Sequence, residues 1–160
     1  MAAPTDQNLI GFVVHEARLI DQHRFEEWLD LFADDGYYWM PLEWGQTDPR
    51  LSTSLMYEDK LLLKVRVERL ESTRTFSQKP QSRCHHLLQV PRIERRDEAA
   101  NLYVTWTPLH YVETRGDEQI LLAAWATHHL AIIDGGLKIK LKRVDLVNCD
   151  AAFGSIQLFV

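Results

Sequence analysis

Residues 119–147 read QILLAAWATHHLAIIDGGLKIKLKRVDLV, and this stretch decides the fold. Its first half is rich in Ala, Leu and Ile, and it ends at Asp134-Gly135-Gly136, a sequence typical of a tight β-hairpin turn. Its second half opens with strict alternation, in which Leu137, Ile139 and Leu141 are separated by lysines. We therefore predict two long antiparallel strands joined by a short turn.

The alternation fails near the end of the second strand. After Arg143 the apolar positions move by one residue, to Val144 and Leu146. Because successive side chains of a strand point to opposite faces, such a slip is how a β-bulge appears in sequence. The pattern predicts a bulge at this point.

Two further strands precede the hairpin. Residues 86–95 form one of them, and Pro91 indicates that it lies at an edge or contains a bulge. Residues 102–107 alternate between apolar and polar side chains, and Pro108 indicates an irregularity after them.

The beginning of the chain has a helical pattern. Apolar residues between Leu9 and Ile20 recur with a period close to 3.6, and Thr5 or Asp6 can cap this helix. Asp21 is predicted to cap a second, short helix. The apolar positions of that helix are Phe25, Trp28, Leu29 and Phe32.

The middle of the chain is mixed. Asp34-Asp35-Gly36 is predicted to end the second helix, and an aromatic strand over residues 37–40 follows, closed by Pro41. Residues 43–54 and 71–83 read as loops. Residues 58–70 are predicted to form a third helix, whose apolar face is Leu61, Leu62, Val65 and Leu70.

This order of elements predicts an α+β fold in a single domain spanning residues 1–160. A curved antiparallel sheet must bury one face, and the N-terminal helices are available to cover it. We therefore expect a cone-like half-barrel packed on helices.

Charge and hydropathy exclude several classes of protein. The net charge is −5, whereas proteins that bind phosphate backbones are normally basic, so we predict no nucleic-acid partner. No apolar stretch is long enough to cross a membrane, and the first residues lack the pattern of a secretory signal. We expect a cytoplasmic protein without membrane contact, in which Cys84 and Cys149 are reduced thiols.

The histidines do not complete a metal motif. His15-Glu16 begins like a zinc-protease helix, but Leu19 stands where the second histidine belongs. Cys84-His85-His86 has the spacing of half a Rieske site, and no second Cys–His pair accompanies Cys149. His128 and His129 are neighbours on a strand, so one faces the core, where a packed histidine is favoured over a ligand. We predict no metal and no cofactor in this chain.

Catalytic motifs are equally scarce. Neither G-x-S-x-G nor G-x-G-x-x-G occurs, and Cys84 is better explained as a packed thiol than as a nucleophile. Acid–base catalysis remains an alternative, because cone-shaped α+β folds often hold a pocket between sheet and helices. The candidates on residue type are Tyr37, Tyr57, Asp59, His86 and His110.

Three residues are candidates for a protein interface. Trp44 lies in a polar loop, where a large aromatic side chain often marks a contact surface. Arg92 and Arg95 form a small basic cluster near a predicted edge strand, which on an acidic chain indicates an interface or a solvated strand face.

Several stretches, taken in this order and at these separations, resemble one family. The chain is similar to the small (beta) subunits of aromatic-ring-hydroxylating dioxygenases. The resemblance covers nearly the whole chain, and the motifs together in this order are more specific than any one of them alone. The stretches are residues 16–32 (EARLIDQHRFEEWLDLF), 38–42 (YWMPL), 54–60 (SLMYEDK), 66–70 (RVERL), 80–87 (PQSRCHHL) and 142–150 (KRVDLVNCD).

The chain departs from the family pattern after Arg83. The family commonly has Thr-Arg-His there and an asparagine a few residues later. This chain has Cys84-His85-His86 and then Val90-Pro91. His86 matches the family histidine, while Cys84 and His85 do not.

The resemblance implies a fold of the NTF2-like or cystatin-like type. It also implies a role as a structural, assembly-directing subunit. In such enzymes the large (alpha) subunit carries the Rieske [2Fe-2S] cluster and the mononuclear non-haem Fe(II), the usual assembly is α3β3 with a trimer of beta subunits, and NAD(P)H supplies electrons through a reductase, often with a ferredoxin. The holoenzyme adds O2 to an aromatic ring and forms a cis-dihydrodiol.

Two alternatives have the same fold. One is a stand-alone isomerase or dehydratase that uses a pocket of Asp, His and Tyr residues, and the other is a domain that binds a small apolar ligand. Fold alone does not decide among the three. A filled cone favours the scaffold, whereas an open pocket that holds a carboxylate and an imidazole favours the enzyme.

Overall fold

The computed structural model describes residues 2–72, 81–151 and 154–160. Within these residues, three helices and seven strands follow one another. They are α1 (Asp6–Asp21), α2 (Phe25–Asp30), β1 (Phe32–Pro41), β2 (Ser54–Asp59), α3 (Lys60–Ser72), β3 (Arg83–Leu88), β4 (Arg92–Asp97), β5 (Leu102–Arg115), β6 (Glu118–Ile133) and β7 (Gly136–Leu146). Among the helices in these ranges, none has the length and hydropathy needed to span a membrane.

The strands form one sheet of order β2-β1-β7-β6-β5-β3, with β4 also paired to β5. All pairs are antiparallel except β1–β7, which is parallel. The helices cover one face of this sheet, and the core lies between them. The predicted α+β class and sheet-on-helix architecture are therefore confirmed, but the strand β2 and the parallel pair were not predicted.

The first helix begins where the sequence indicates. Thr5 caps α1 through a reciprocal capping box with Asn8. Asp21 is the last residue of α1, so the prediction that it caps α2 is wrong. The residue that precedes α2 is Arg24, which makes no side-chain cap. Phe32 starts β1 rather than ending the helix.

The predicted turn at Asp34-Asp35-Gly36 is also wrong, because these residues lie inside β1. They form an irregular segment in which the register against β7 shifts between Phe32 and Tyr37. A Cβ atom added to Gly36 would lie 2.5 Å from the backbone oxygen of Ile139. Glycine is needed here because β1 and β7 approach each other closely.

We expect the substitution Gly36→Ala to lower the free energy of unfolding by about 1–3 kcal/mol, because the new methyl group meets backbone rather than a side chain that could move. Gly11→Ala is the matched control. Gly11 lies within α1 with nothing near its added Cβ, so alanine should stabilise by roughly 0.5–1 kcal/mol. Urea unfolding measures both values, and a Gly36→Ala protein as stable as wild type would contradict the close approach.

The third helix exists, but its predicted boundaries and apolar face are wrong. Residues 54–59 are strand β2, and α3 starts at Lys60. The side chains that α3 buries are Leu63 and Val67. The predicted face is largely exposed, with relative accessibilities of 68% at Leu61, 50% at Leu62 and 45% at Val65.

The strand predicted at residues 86–95 is two strands, β3 and β4, which end and begin on either side of Gln89-Val90-Pro91. Both pair with β5. Pro108 lies within β5 opposite this break, and the amide of Gln89 donates to the Pro108 carbonyl. The pairing of β5 with β6 runs through Pro108 without a register shift, so the predicted irregularity falls on the neighbouring strands.

The hairpin is confirmed, with Asp134 and Gly135 at positive φ between β6 and β7. The predicted bulge is present, but three residues earlier than expected. His129 pairs with Leu141 and Leu130 pairs with Ile139, so Lys140 is the extra residue. Beyond this bulge the chain turns Lys142 into the core, where it is 2% exposed.

Candidate subunit interface

We call the face of the sheet that is turned away from the helices the open face. One row of directly paired residues crosses it through six strands, from β4 to β2. Its aromatic and arginine side chains are of the types enriched at protein interfaces. The row is Arg92, Trp106, Thr127, Arg143, Trp39 and Tyr57.

The centre of this row is held in place by stacking. The guanidinium of Arg143 lies 4.4 Å above the ring of Trp39, and the same arginine pairs with Asp145. Tyr57 packs edge-on against Trp39 and stacks on Tyr37, with ring centroids 4.7 Å apart. The surface is therefore largely ordered before any partner binds, which lowers the entropic cost of association.

The three interface residues predicted from sequence lie on this face or beside it. Arg92 pairs with Trp106, and Arg95 pairs with Val104, whose partner in β6 is His129. Trp44 is 60% exposed and contacts Trp125 edge-on, with centroids 5.5 Å apart.

Sequence reasoning did not single out Trp106, Trp125 or Arg143 as interface residues. The alternation of β5 would not have identified Trp106, because the apolar Val104 and Trp106 are half-exposed while the polar Thr105 and Thr107 are buried. The half-exposed set on these two strands includes both tryptophans.

Two arginines near the middle of the open face, Arg95 and Arg143, each form an ion pair with an aspartate. Burial lowers the pKa of His129, and His128, Arg95 and Arg143 lower it further. Arg95 bonds Asp97 at 2.6 Å, and Arg143 bonds Asp145 at 2.8 Å. This face is therefore suited to an uncharged or mixed partner surface rather than to a polyanion.

On the opposite, helix-covered face, the interior holds a buried ionic cluster. The Glu16 carboxylate lies 2.6 Å from Lys142 Nζ and 3.5 Å from His128 Nε2, and it accepts a 3.3 Å bond from Trp28 Nε1. Burial by itself raises the pKa of Glu16, but Lys142 and His128 outweigh it and hold that pKa well below its ordinary value. Lys142 also lies over the ring of Tyr38.

Residues 157–160 also occupy part of this space. Phe159 stacks on Trp28 with centroids 4.2 Å apart, and Tyr38 donates to the Val160 carbonyl. The buried Glu113 carboxylate accepts bonds from the amides of Gln157 and Leu158 and from the Tyr111 hydroxyl. The region between α1, α2 and the sheet is thus occupied by side chains of this chain itself.

The five acid–base candidates do not converge on one site, because three lie at the β2 end of the sheet and the two histidines lie at the other end. Tyr37 and Tyr57 stack on the open face at the β2 end of the sheet, and Asp59 accepts from the Leu62 amide at the start of α3. His86 lies on β3, at the other end of the sheet, and the exposed His110 lies on the adjacent β5.

His86 belongs instead to a cluster that the sequence did not predict, with Asp21 and Cys84. Asp21 Oδ1 lies 2.6 Å from His86 Nδ1 and 3.5 Å from Cys84 Sγ, while Oδ2 accepts from the His86 amide. Burial raises the pKa of the Cys84 thiol, and Asp21 raises it further, so the sulfur is a protonated donor.

The residue types of this cluster are those of a zinc site, and their ligand atoms lie within 4.8 Å of one another. However, the Nδ1–Oδ1 distance is that of a hydrogen bond, and two ligands of one tetrahedral zinc ion stand roughly 3.3 Å apart at normal bond lengths. The cluster is therefore a hydrogen-bonded unit in which the carboxylate of Asp21 fixes the imidazole.

We expect Asp21→Asn to lower the free energy of unfolding at pH 7 by about 1–3 kcal/mol, since three donors lose a charged acceptor. Burial alone raises the pKa of Asp21, but His86 and Cys84 hold it below its ordinary value. A lowered folded-state pKa contributes stability above the unfolded pKa of about 4, and this is lost as the pH falls through the folded pKa.

Urea unfolding of both proteins between pH 7 and pH 2 tests this. The difference in stability between wild type and Asp21→Asn should shrink as the pH falls below about 4. Glu16 titrates in both proteins and cancels in the difference. A difference that stays constant with pH would show that Asp21 contributes only as a neutral group.

Comparisons with known proteins agree on one family. The family model described as the ring hydroxylating beta subunit matches residues 15–151. The chain is 30% identical to the 2-halobenzoate 1,2-dioxygenase small subunit of Burkholderia cepacia, covering 88% of this chain and 87% of that one. It is 32% identical to the N,N-dimethyl phenylurea N-demethylase subunit beta of a Sphingobium strain, covering 93% and 86%.

One solved structure has a similar fold over nearly the whole chain. The beta subunit of the benzoate 1,2-dioxygenase from Burkholderia mallei superposes with a TM-score of 0.76 at 23% identity, covering 92% of this chain and 94% of that chain. At this identity the likeness establishes the fold, and it confirms the curved sheet packed on helices that the sequence predicted.

Proposed function

This chain belongs to the family of ring-hydroxylating beta subunits, and from that premise we propose that it is the assembly subunit of an oxygenase whose large subunit does the chemistry. The working form is then a complex with a large (alpha) subunit. This chain contributes shape and contacts to the complex, and it contributes no catalytic residue.

One observation supports the scaffold most strongly. The space between the helices and the sheet, where a small enzyme of this architecture would hold substrate, is occupied by the Glu16–Lys142 pair and by Phe159. The aromatic side chains left half-exposed lie on the open face instead. An interior occupied by the chain's own side chains, behind a broad aromatic surface, is suited to binding proteins.

We place the cofactors in the large subunit. The Rieske [2Fe-2S] cluster and the mononuclear Fe(II) need Cys–His pairs and a His/carboxylate set. Within residues 2–72, 81–151 and 154–160, the group of possible ligands that lies together is Asp21, Cys84 and His86, and its members already bond one another.

The names of the relatives support the same roles for the small and the large subunit. One is a subunit of a 2-halobenzoate dioxygenase and another of a phenylurea N-demethylase. The reaction changes between these relatives while the small subunit is retained. We therefore propose that the large subunit sets the substrate, and that this complex dihydroxylates an aromatic ring with O2 and electrons from NAD(P)H.

We further propose an α3β3 assembly in the cytoplasm, in which three copies of this chain associate through the open face. Trp106, Arg143 and Tyr57 lie in one continuous row there, and such residues often dominate the free energy of association.

Co-expression with the presumed large subunit tests this proposal. The mass and iron content of the purified chain alone and of the complex are the measurements. We expect an iron-free trimer alone and an iron-containing α3β3 complex that has oxygenase activity only when assembled. Stoichiometric iron in the chain alone, or failure to enter the complex, would contradict the proposal.

A further inference from the structure

The proposed trimer needs two different surfaces on each copy of the chain. In a closed ring of three, each copy meets its two neighbours through different patches, because a patch that contacts its own equivalent produces a two-fold dimer. The open face supplies one of these surfaces. The second is a different patch of the same chain, complementary to the first.

A groove between α1 and the β3–β4 break has a suitable shape for this second surface. Its volume is about 370 Å³, and since a cavity of about 150 Å³ holds benzene, the groove has room for an indole ring. Its wall is accessible, with relative accessibilities of 47% at Val14 and 74% at Val90. The apolar residues that line it are Ile10, Val14, Ala17, Leu88, Val90 and Pro91.

This groove also carries an available positive charge. Arg18 lines it, is exposed, and forms no ion pair with any residue in the described parts of the chain. Asp21 lines the groove as well, but its carboxylate is already bonded to His86 and Cys84. A partner that fits the groove therefore combines a large apolar group with a carboxylate.

The loop beside the open face carries that combination. Trp44 is 60% exposed and packs edge-on against Trp125. The preceding residue, Glu43, is exposed, and it pairs with no cation within residues 2–72, 81–151 and 154–160. An indole next to a carboxylate thus matches an apolar wall next to a guanidinium, and opposite charges at an apolar contact fix its orientation.

We propose that Trp44 of each copy inserts into the groove of the next copy, where Glu43 pairs with Arg18. The contact rests on the trimer proposed above and supplies the second surface of that ring. The exposed face of α3 matches the loop less well, because Lys64 and Arg66 on this helix are already paired with glutamates.

Charge reversal tests the ionic contact. Arg18→Glu and Glu43→Arg each bring like charges together, and each should raise the concentration at which half of the chain is trimeric by about tenfold or more. The double variant Arg18→Glu/Glu43→Arg restores opposite charges and should recover most of this loss. Sedimentation equilibrium over a dilution series of the full-length chain gives these concentrations. Arg69→Glu on α3 is the matched control and should change nothing.

Changes of side-chain size test the insertion of the indole. Trp44→Ala removes the inserted group and should weaken each contact about 30-fold. Val14→Trp fills the groove from α1 and should also weaken the trimer, whereas Val65→Trp on the exposed side of α3 should leave it unchanged. All three residues are about half-exposed or more, so the variants should fold.

A double charge variant as weak as the single ones would overturn the proposal. So would a trimer that is unaffected by both Trp44→Ala and Val14→Trp. In either case the wild-type chain is still a trimer, so the assembly role proposed above is retained with a different second surface. A wild-type chain that is monomeric at every concentration would overturn the trimer itself and this contact with it.

Discussion

Replacing Glu16 with glutamine is expected to lower the free energy of unfolding by about 3–5 kcal/mol. Glu16 and Lys142 are each about 2% exposed, and their charged atoms lie 2.6 Å apart. Removing the carboxylate leaves a buried ammonium group with no counter-charge. It also weakens the contacts of Trp28 and His128 with the same oxygen. Few single substitutions in this chain should lower the free energy of unfolding by more than this one.

Urea unfolding at pH 7 measures this effect, with Glu27→Gln as the matched control. Glu27 also pairs with a cation, Arg24, but its side chain is 57% exposed and water screens the pair, so its loss should change stability far less than the loss of Glu16. The double variant Glu16→Leu/Lys142→Met should recover most of the stability, because it removes both charges and retains volume. Equal losses from Glu16→Gln and Glu27→Gln would show that the buried pair is not the source of the effect.

Replacing Trp106 with lysine is expected to convert the proposed trimer into a monomer. Trp106 lies in the row across the open face, between Arg92 and Thr127. Lysine removes a large apolar surface and adds a charge beside existing arginines. Tryptophan truncations at interface centres cost about 2 kcal/mol or more, which is roughly 30-fold in affinity at each contact.

Light scattering coupled to size exclusion gives the mass of each variant. Val65→Lys on α3 is the contrasting substitution, because Leu61, Leu62 and Val65 make the other exposed apolar surface described above. We expect Val65→Lys to remain a trimer. A monomeric Val65→Lys protein and a trimeric Trp106→Lys protein would place the self-association surface on α3 instead of the sheet.

Strand β7 contributes both to the buried ion pair and to the open face. Lys142 points into the core and its neighbour Arg143 lies on the open face, because adjacent residues of β7 face opposite sides. The bulge at Lys140 sets this alternation. The ionic cluster inside therefore also holds the backbone that presents Arg143 to a partner.

Much of the fold is local and could be predicted. The Asp134-Gly135 turn requires positive φ and joins two long strands whatever surrounds it, and Thr5 with Asn8 caps α1 within one turn of helix. Trp44, Arg92 and Arg95 lie on the open face or beside it, and their role at an interface stays a prediction.

The sequence by itself therefore determined the hairpin, the first helix, the α+β class and the family, because each depends on neighbouring residues or on an ordered set of motifs. Only the tertiary structure decided which side chains meet across the chain. In the folded chain Lys142 points inward and pairs with Glu16. Asp21 accepts a hydrogen bond from His86 instead of capping α2, and α3 buries Leu63 instead of Leu61. Such contacts join residues that are far apart in sequence, so no local pattern of periodicity or capping encodes them.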